Sequence, residues 1–453
     1  MQIAVIGTGY VGLVSGVCFA EYGFRVTCVD RDSDKIARLQ QHIMPIYEPG
    51  LEQLVEANRK AGRLSFTTDL KMAVGEADVV LVAVGTPQND TDGMPDLTAL
   101  DAAVVQVAAA MKKYTVVVIK STVPVGTNAH ATKMIASANP NADFDVVSNP
   151  EFLREGVAIN DFMKPDRVVI GLDSKRAREV MQQLYAPICV DNIPLISTSF
   201  ESAELIKYAA NSLLATKIAF INEMADLCEK TGANVRDVAR GIGLDHRIGD
   251  KFLQPGPGYG GSCFPKDTLA LRAMARTHEA PSRIVEATIE SNEKRKIRMA
   301  EKIIAACDGD VAGKNISILG VTFKPGTDDM RESAALAIIP ALQARGASIR
   351  AYDPQGMEEA KKFLNNVEWC KDVESAVGAA DALVILTEWN EFKSLNLARI
   401  KVLLKTPLIV DLRNIYKRLE MQKLGFHYVS VGRQDVVPGQ PWIPDLKIED
   451  EKM

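Results

Sequence analysis

One cysteine in this sequence of 453 residues has neighbours that favour covalent chemistry. Cys263 lies in GPGYGGSCFPKD (256–267), a segment that is rich in glycine and proline and also holds a lysine and an aspartate. Glycines let a ligand approach the backbone closely, and Lys266 can stabilise the thiolate form of a nearby cysteine. Cys263 is therefore predicted to be a nucleophile. A small buried hydrophobic side chain is the expected role of the other cysteines, which are Cys18, Cys28, Cys189, Cys228, Cys307 and Cys370.

A glycine pattern near the start of the chain predicts a dinucleotide site. GTGYVG (7–12) has the form G-x-G-x-x-G and follows the apolar run 3–6. Its glycines would let backbone N–H groups approach a pyrophosphate at a helix start, where the helix dipole favours an anion. Asp30 ends the next apolar run, at about the 20-residue spacing where an acid can bind ribose hydroxyls. Asp30 therefore favours NAD over NADP, although the neighbouring Arg31 could weaken that preference.

Two further segments follow later apolar runs of the same predicted sheet. GTP (85–87) follows the run that ends at Val84, and STVP (121–124) follows the run that ends at Ile119. Each segment by itself could be a simple strand-ending turn. Because ligands collect at the carboxyl ends of parallel strands, the two segments together are predicted to line the nicotinamide half of the cofactor.

A dinucleotide site combined with a nucleophilic thiol predicts a particular reaction. An aldehyde is a poor hydride donor until a nucleophile adds to its carbonyl carbon. A thiolate would form a thiohemiacetal, which loses hydride and leaves a thioester for water to cleave. The combination therefore favours a four-electron oxidation from alcohol to acid. The alternatives are a two-electron dehydrogenase of a hydroxy acid or sugar phosphate, in which Cys263 is structural, and a nucleotide-binding regulator without chemistry.

The elements that would position these residues alternate along the chain. Short runs rich in Val and Ile alternate with longer helical patterns, as in parallel βαβ units. The same alternation of strand and helix patterns returns in the last third of the chain, whereas 200–231 and 282–307 are long helix-forming stretches. The predicted fold class is α/β, with two Rossmann-like doubly wound domains joined by an α-helical central domain. The predicted boundaries are 1–200 for an NAD-binding domain, 201–300 for a central helical domain with surface for self-association, and 301–453 for a second Rossmann-like domain with a flexible tail.

Composition and charge exclude several classes of protein. Hydrophobic residues make up 47% and charged residues 25%, as in an ordinary globular protein. A net charge of −5 does not suggest binding to nucleic acid. Without a CxxC pair or an HExxH pair, no metal site is predicted. The uncharged stretch 1–20 lacks a basic start and is interrupted by glycines, so we expect a cytoplasmic protein without a membrane span.

Several segments resemble the UDP-glucose/GDP-mannose dehydrogenase family of bacteria, on its UDP-glucose branch. They are GTGYVGLV, YEPGLEQLV, STVPVGT, NPEFLREG, KYAANSLLA, PGPGYGGSCFPKD, GVTFKPGTDDMRES and VDLRN. The resemblance extends from Met1 to about Arg433. It implies an NAD-dependent four-electron oxidation of UDP-glucose to UDP-glucuronate. UDP-N-acetylmannosamine and GDP-mannose dehydrogenases share the same skeleton and remain as alternatives.

The resemblance also implies catalytic roles. Cys263 would be the nucleophile, and Lys207 and Asn211 would hold and polarise the C6 oxygen of the sugar. These last two residues are four positions apart on the predicted central helix, so both project from one face. Either Glu151 or Asp267 could be the general base of thioester hydrolysis. Thr122 would be a further polar residue near the reacting water. The implied catalytic residues are therefore Cys263, Lys207, Asn211, Asp267, Glu151 and Thr122.

The implied ligands are NAD and UDP-glucose. The carboxyl-terminal domain lacks its own G-x-G-x-x-G and would bind uridine diphosphate. Arg247 resembles a residue that reaches the substrate of a second subunit, so a homodimer is expected. The implied NAD-binding residues are Gly7, Gly9, Tyr10, Val11, Gly12, Asp30, Lys35, Gly85, Thr86, Pro87, Ser121, Thr122, Glu155, Lys266 and Arg331. The implied substrate-binding residues are Glu151, Phe152, Leu153, Arg154, Lys207, Asn211, Arg247, Phe252, Leu253, Gln254, Pro255, Gly256, Tyr259, Gly260, Phe264, Lys324 and Arg413.

Overall fold

A computed structural model of the chain describes residues 1–89 and 93–440. The predicted flexible tail includes residues 441–453, which lie outside the described residues. The chain divides into two compact units, the first formed by Met1–Asn211 with Leu269–Ser282 and the second by Ser212–Thr268 with Arg283–Met453. No helix of the described residues is both long enough and apolar enough to cross a membrane.

The first unit is built on a sheet of eight strands among its described residues, in the order β3-β2-β1-β4-β5-β6-β7-β8. Neighbouring strands are parallel except β6 and β7, which pair in an antiparallel sense. Valine and isoleucine dominate β4 and β5, and every residue of both strands is buried, as expected for a sheet covered on both faces. The strands are β1 (Gln2–Ile6), β2 (Arg25–Val29), β3 (Leu64–Thr67), β4 (Val79–Val82), β5 (Thr115–Ile119), β6 (Phe144–Ser148), β7 (Val168–Gly171) and β8 (Leu195–Thr198).

Helices connect these strands and cover the sheet. They are α1 (Tyr10–Glu21), α2 (Ser33–Gln40), α3 (Leu51–Lys60), α4 (Leu70–Glu76), α5 (Thr98–Ala110), α6 (Thr127–Ala138), α7 (Ala158–Met163) and α8 (Lys175–Tyr185), with a 3-10 turn at Cys189–Asp191. Three helices follow β8: α9 (Phe200–Thr231), α10 (Val235–Gly243) and α11 (Phe264–Thr277). The division between the two units falls within α9 and within α11.

The second unit contains a sheet of six strands among its described residues, in the order β11-β10-β9-β12-β13-β14. All its strand pairs are parallel, and the order repeats that of the first six strands of the other sheet. Its elements are α12 (Arg283–Ala306), β9 (Asn315–Leu319), α13 (Ala335–Ala344), β10 (Ser348–Tyr352), α14 (Met357–Ala360), β11 (Val367–Trp369), α15 (Val373–Val377), β12 (Ala382–Ile385), α16 (Asn390–Lys393), α17 (Leu397–Leu403), β13 (Leu408–Asp411), α18 (Arg418–Leu424) and β14 (His427–Ser430). The predicted fold of two Rossmann-like sheets with long helices between them is confirmed, and the boundaries at 200 and 300 stay a prediction.

Candidate active site

The glycine turn after β1 is tightly packed on one side and open on the other. A Cβ added to Gly7, which has a φ of 99°, would lie 2.6 Å from the Ala83 carbonyl oxygen. A Cβ on Gly12 would lie 2.0 Å from the Gly7 carbonyl oxygen. A Cβ on Gly9 would meet no atom within 4 Å, so open space lies beside the residue that precedes α1. A pyrophosphate could therefore approach the backbone N–H groups at the start of this helix, which begins at Tyr10.

Asp30, directly after β2, has the charge expected of a ribose-binding acid. Its Oδ2 accepts hydrogen bonds from the backbone N–H of Thr8 (2.9 Å), from the Thr8 hydroxyl (2.7 Å) and from Lys35 Nζ (3.1 Å). Burial raises the pKa of Asp30, but these hydrogen bonds outweigh burial and lower the pKa to about 2. The carboxylate is therefore charged at neutral pH, and the predicted cofactor-binding residue Lys35 lies beside it.

This carboxylate predicts the choice of cofactor. A hydrogen bond to a charged group is worth roughly 1.5–3 kcal/mol, or about ten- to a hundred-fold in affinity, and a 2′-phosphate would meet a negative charge at the same place. We expect kcat/KM for NAD to exceed that for NADP by about tenfold or more. Initial rates of cofactor reduction measure the ratio of kcat/KM for NAD to kcat/KM for NADP. Asp30→Asn should lower this ratio, and the exposed control Asp34→Asn should leave it unchanged. Equal kcat/KM for both cofactors would show that Arg31 overrides Asp30.

The turns after β4 and β5 lie against each other. The Thr86 hydroxyl donates a hydrogen bond to the Thr122 carbonyl oxygen (3.0 Å), and the Ser121 hydroxyl donates one to the Val84 carbonyl oxygen (2.7 Å). The two segments predicted to line the nicotinamide half of the cofactor are thus joined at the carboxyl edge of the sheet. The residues concerned are Gly85, Thr86, Pro87, Ser121 and Thr122, whose contact with a cofactor stays a prediction.

A buried ion pair joins the loop after β6 to α9. Lys207 Nζ lies 2.8 Å from Glu151 Oε1, and the two side chains are 3% and 6% exposed. Burial raises the pKa of Glu151, but the charge of Lys207 and hydrogen bonds from Lys207 and the Leu153 backbone hold the pKa below its ordinary value. Glu151 is therefore an ionised carboxylate. Asn211 lies one turn beyond Lys207 on α9 and is also buried, so these two residues can act on the same ligand oxygen.

Lys120 is a buried cation that was not predicted from the sequence. Its Nζ donates a hydrogen bond to Asn149 Oδ1 (3.1 Å), which also accepts one from the Tyr185 hydroxyl (2.5 Å). Burial lowers the pKa of Lys120 to about 8, an effect that Glu151 opposes and Lys207 reinforces. The ion pair of Glu151 and Lys207 thus has a second ammonium group in its surroundings. A lysine directly after the otherwise apolar strand β5 is the sequence signal that could have found it.

The loop between β6 and α7 carries the predicted sugar contacts of the first unit. Asp161 holds Arg154 by accepting hydrogen bonds from its backbone N–H (2.9 Å), Nε (2.9 Å) and Nη2 (2.6 Å). The Phe152 ring lies near two cations, with its centroid 3.6 Å from Arg167 Cζ and 5.4 Å from Lys207 Nζ. These contacts give the loop a defined conformation beside the buried ion pair.

Cys263 lies immediately before α11 and is partly buried. A thiolate in this position is favoured by the dipole at the start of the helix. The sulfur lies 3.5 Å from Ser262 Oγ, and the Cys263 carbonyl oxygen accepts a hydrogen bond from the Asp267 backbone N–H (2.8 Å). Lys266 Nζ lies 2.6 Å from Oδ1 of the buried Asp267. The lysine predicted to support the thiolate is therefore itself paired with the predicted base.

The other cysteines differ from Cys263 in their surroundings. Burial raises the pKa of Cys18 and Cys28 to about 12 and that of Cys307 to about 11. Cys189 is partly buried like Cys263, but burial raises its pKa as well. These groups are therefore protonated thiols at neutral pH. Cys18, Cys28 and Cys307 are buried as predicted, whereas Cys189 is only partly buried.

Polar side chains of α9 and α12 fix the loop that precedes Cys263. Asn222 Oδ1 accepts a hydrogen bond from the Gly256 backbone N–H (2.8 Å), and Arg295 Nε donates one to the Gly256 carbonyl oxygen (2.9 Å). Asn292 bonds both backbone groups of Tyr259, at 2.8 and 3.1 Å. These three supporting residues were not predicted, because a polar residue on a long helix gives no sequence signal of whether it points inward.

Aromatic contacts complete this loop. The Phe264 ring centroid lies 6.1 Å from that of Phe252 and 6.1 Å from that of Tyr259. Leu253 is buried, whereas Gln254 is exposed. Within the predicted sugar-binding stretch, the Leu253 side chain therefore lies in the core of the unit and the Gln254 side chain faces solvent.

The segment after β9 packs against the cysteine loop. A Cβ on Gly260 would lie 2.3 Å from the Glu332 carbonyl oxygen, and the Gly261 backbone N–H donates to the Arg331 carbonyl oxygen (2.8 Å). The Arg331 side chain is held by Asp329, with Nη2 2.8 Å from Oδ2. The predicted cofactor contact Arg331 is thus adjacent to the segment that carries Cys263.

Arg413 and Lys324 lie near the same loop within the second unit. Arg413 Nε donates to the Leu386 carbonyl oxygen (2.7 Å) and Nη2 to the Phe323 carbonyl oxygen (3.1 Å). A Cβ on Gly256 would lie 3.1 Å from Arg413 Nη1. Lys324 Nζ lies 5.5 Å from the Phe323 ring centroid. Two cations predicted to bind uridine diphosphate are therefore placed at the carboxyl edge of the second sheet.

The predicted residues thus fall into two groups, one in each unit. Within residues 1–89 and 93–440, no group of three or more His, Cys, Asp or Glu side chains could hold a metal ion. The first unit holds the glycine turn, Asp30, Lys35, Thr86, Thr122, Glu151, Phe152, Arg154, Glu155, Lys207 and Asn211, and the second holds Arg247, Phe252, Gly256, Tyr259, Gly260, Cys263, Phe264, Lys266, Asp267, Lys324, Arg331 and Arg413.

Three domains of one protein family match the chain. Residues 1–189 match the NAD binding domain of the UDP-glucose/GDP-mannose dehydrogenase family, residues 201–294 its central domain and residues 317–418 its UDP binding domain. A UDP-glucose 6-dehydrogenase from Rhizobium meliloti (strain 1021) is 57% identical over 437 residues, which are 96% of this chain and 100% of the relative.

Two solved structures have the same architecture. A UDP-glucose dehydrogenase from the archaeon Pyrobaculum islandicum has a TM-score of 0.86 and 36% identity, covering 92% of this chain and 95% of the other. A UDP-D-ManNAc dehydrogenase from Pyrococcus horikoshii has a TM-score of 0.84 and 28% identity, covering 96% of this chain and 99% of the other.

Proposed function

Because the chain belongs to the UDP-glucose/GDP-mannose dehydrogenase family, we propose that it oxidises C6 of UDP-glucose to the carboxylate of UDP-glucuronate. UDP-glucose, one water and two NAD give UDP-glucuronate, two NADH and three protons. The similarity to a UDP-glucose 6-dehydrogenase, at 57% identity over 96% of this chain, carries the choice of substrate. The related UDP-D-ManNAc dehydrogenase is only 28% identical in sequence to this chain.

The first unit has the features that NAD requires. Open space beside Gly9, the start of α1 and the ionised Asp30 suit a pyrophosphate and a ribose. When bound, NAD accepts the hydride that leaves C6 in each oxidation. The remaining chemistry falls to side chains of this protein.

In the first oxidation, the C6 hydroxyl loses its proton as the hydride leaves, and an aldehyde results. The Lys207 ammonium and the Asn211 amide would stabilise the negative charge that develops on the oxygen. Both are buried on one face of α9, where water does not weaken their effect. Lys207 pairs with the ionised Glu151, which orients the lysine.

In the second stage, the Cys263 thiolate adds to C6 as the carbonyl π bond opens toward oxygen. That oxygen takes up the proton released in the first oxidation, which gives a thiohemiacetal. Loss of a second hydride from C6 and of the hydroxyl proton gives a thioester. Water then adds to C6, the C6–S bond breaks with its electron pair returning to sulfur, and the carboxylate leaves. Glu151 or Asp267 would accept the first proton of that water, and the carboxylic acid then loses the second proton to solvent. Both carboxylates lie beside a lysine, at 2.8 and 2.6 Å, so they remain equal candidates.

Counting NADH per sugar tests this proposal. Two NADH per UDP-glucose are expected, with UDP-glucuronate as the product. One NADH per sugar would support a two-electron dehydrogenase instead. Across a panel of UDP- and GDP-sugars, kcat/KM should be highest for UDP-glucose. A higher kcat/KM for UDP-N-acetylmannosamine or GDP-mannose would identify that sugar nucleotide as the substrate instead.

A homodimer is part of the proposal, as is a cytoplasmic location. Leu213, Phe220 and Leu227 are 63%, 47% and 54% exposed, and their spacing of seven residues places them on one face of α9. An apolar stripe on so long a helix suits a self-complementary contact with a second copy of the chain. Arg247, whose side chain is 79% exposed and paired with Asp245, is accessible to a second subunit.

Mixing two inactive variants should restore activity if Arg247 acts in trans. In a heterodimer of Arg247→Ala and Cys263→Ala, one site combines the intact Cys263 of one subunit with the intact Arg247 of the other. We expect each variant alone to be inactive and the refolded mixture to produce NADH. Recovery should fail for Arg247→Ala mixed with Arg247→Ala/Cys263→Ala. No activity in purified heterodimers would place Arg247 in the site of its own subunit.

A further inference from the structure

Glu48 is a buried carboxylate that joins three segments of the first unit. It lies in the loop between α2 and α3 and is 6% exposed. Its Oε2 accepts hydrogen bonds from the Gly156 backbone N–H (2.7 Å) and from the Tyr10 hydroxyl, and its Oε1 accepts one from the Ala158 backbone N–H (2.8 Å). The Gly156 N–H also lies 2.9 Å from Tyr10 Oη.

The segments that Glu48 joins are those that the proposed function assigns to its two ligands. Tyr10 is the first residue of α1 and follows the glycine turn of the NAD site. Gly156 lies near the end of the loop 151–157 and Ala158 begins α7, while the other end of the loop is fixed where Glu151 pairs with Lys207. The implied contacts of this loop with sugar and cofactor are Phe152, Leu153, Arg154 and Glu155.

The cluster is suited to hold this loop in one position. Hydrogen bonds to a charged acceptor are about twice as strong as those between neutral groups. Here one comes from the backbone of the loop and one from the first residue of α7, which directly follows the loop. Gly156 has a φ of 79°, a left-handed conformation that these bonds help to select. Burial and the charge of Glu48 raise the pKa of Tyr10, so the phenol stays protonated and donates.

We propose that Glu48 is a positioning residue that holds the loop 151–157 against the start of α1, so that the NAD and sugar contacts are aligned with each other. This inference rests on the proposed function, because the loop matters to catalysis only if its residues contact both ligands. Glu48 itself touches neither ligand and acts through Tyr10, Gly156 and Ala158.

Glu48→Gln tests the proposal with little change of shape. Glutamine offers one acceptor oxygen and one NH2 group, so one of the two backbone donors loses its partner. We expect kcat/KM for NAD and for UDP-glucose to fall by about tenfold or more. Tyr10→Phe removes only the phenolic hydroxyl and should raise KM for NAD by about two- to tenfold. Glu56→Gln is the matched control, since its carboxylate lies on α3 and pairs with the exposed Lys60.

Binding and unfolding measurements separate positioning from a purely structural role. A structural role would lower Tm but leave KM for both ligands unchanged, whereas positioning raises KM and weakens NAD binding in calorimetric titration. Wild-type KM values in Glu48→Gln would overturn the proposal, whatever its Tm. If Glu48→Gln does not fold, a wild-type KM for NAD in Tyr10→Phe would overturn it. A wild-type protein that makes no NADH from UDP-glucose would instead refute the proposed function, and NAD titration would still test Glu48.

Discussion

Replacing Cys263 with alanine should end the production of UDP-glucuronate while leaving the binding of NAD and UDP-glucose intact. The first hydride leaves an alcohol carbon and needs no thiol. The second must leave a tetrahedral carbon, which the thiolate creates by adding to the aldehyde. We therefore expect no acid and at most one NADH per sugar. Calorimetric titration of both ligands, together with chromatography of the products, measures the two parts of this result.

Two further variants sharpen this experiment. Cys263→Ser can add slowly to the aldehyde and form an ester that water cleaves poorly, so a covalent adduct should appear in the intact-protein mass. Cys189→Ala is the matched control, because Cys189 is the other partly buried cysteine and should be dispensable. Two NADH per sugar at near wild-type rate in Cys263→Ala would refute the thioester route. The aldehyde would then be oxidised as its hydrate, with Glu151 or Asp267 as base.

Replacing Lys207 with alanine should lower kcat without altering the yield of two NADH per sugar. An oxyanion donor that is lost from a buried site typically costs ~2.7–4 kcal/mol, or about a hundred- to a thousand-fold in kcat. The loss falls on both oxidations, because charge develops on the same oxygen in each. Stopped-time assays of NADH and UDP-glucuronate from one reaction measure the rate and the ratio together.

Stability must be measured beside the rate in this case. Removing one partner of a buried ion pair costs about 3–5 kcal/mol, and Lys207→Ala leaves Glu151 without the ammonium group that lies 2.8 Å from it. Lys207→Met removes the charge but fills the same space as lysine. Unfolding curves of both variants show the temperature range in which each is folded, and kcat is compared within that range. Lys230→Ala, at an exposed position of the same helix, should have wild-type kcat. A Lys207 variant that is folded and has near wild-type kcat would exclude an oxyanion role.

Much of the architecture follows from local sequence pattern. The stretch 200–231 without proline or glycine is α9 (Phe200–Thr231), and the buried runs of valine and isoleucine are β1, β2, β4, β5 and β6 of the first sheet. Five strands were not anticipated: the edge strands β3, β8, β11 and β14, and also β7, which lies next to the edge strand β8. An edge strand has one neighbour instead of two, so fewer of its residues are apolar. In β8 and β11 no residue is buried, and the hydrophobic signal is correspondingly weak.

The sequence by itself determined the chemistry that is available: a glycine turn before a helix, an acid after the next strand and a cysteine among glycines. Such patterns depend on neighbours within a few residues, so they can be read without a fold. Only the tertiary structure decided which charges meet. Glu48 and Gly156 are 108 positions apart, and Lys207 and Glu151 are 56 apart. No local pattern encodes these pairings, because each depends on how separate helices and loops pack around the same sheet.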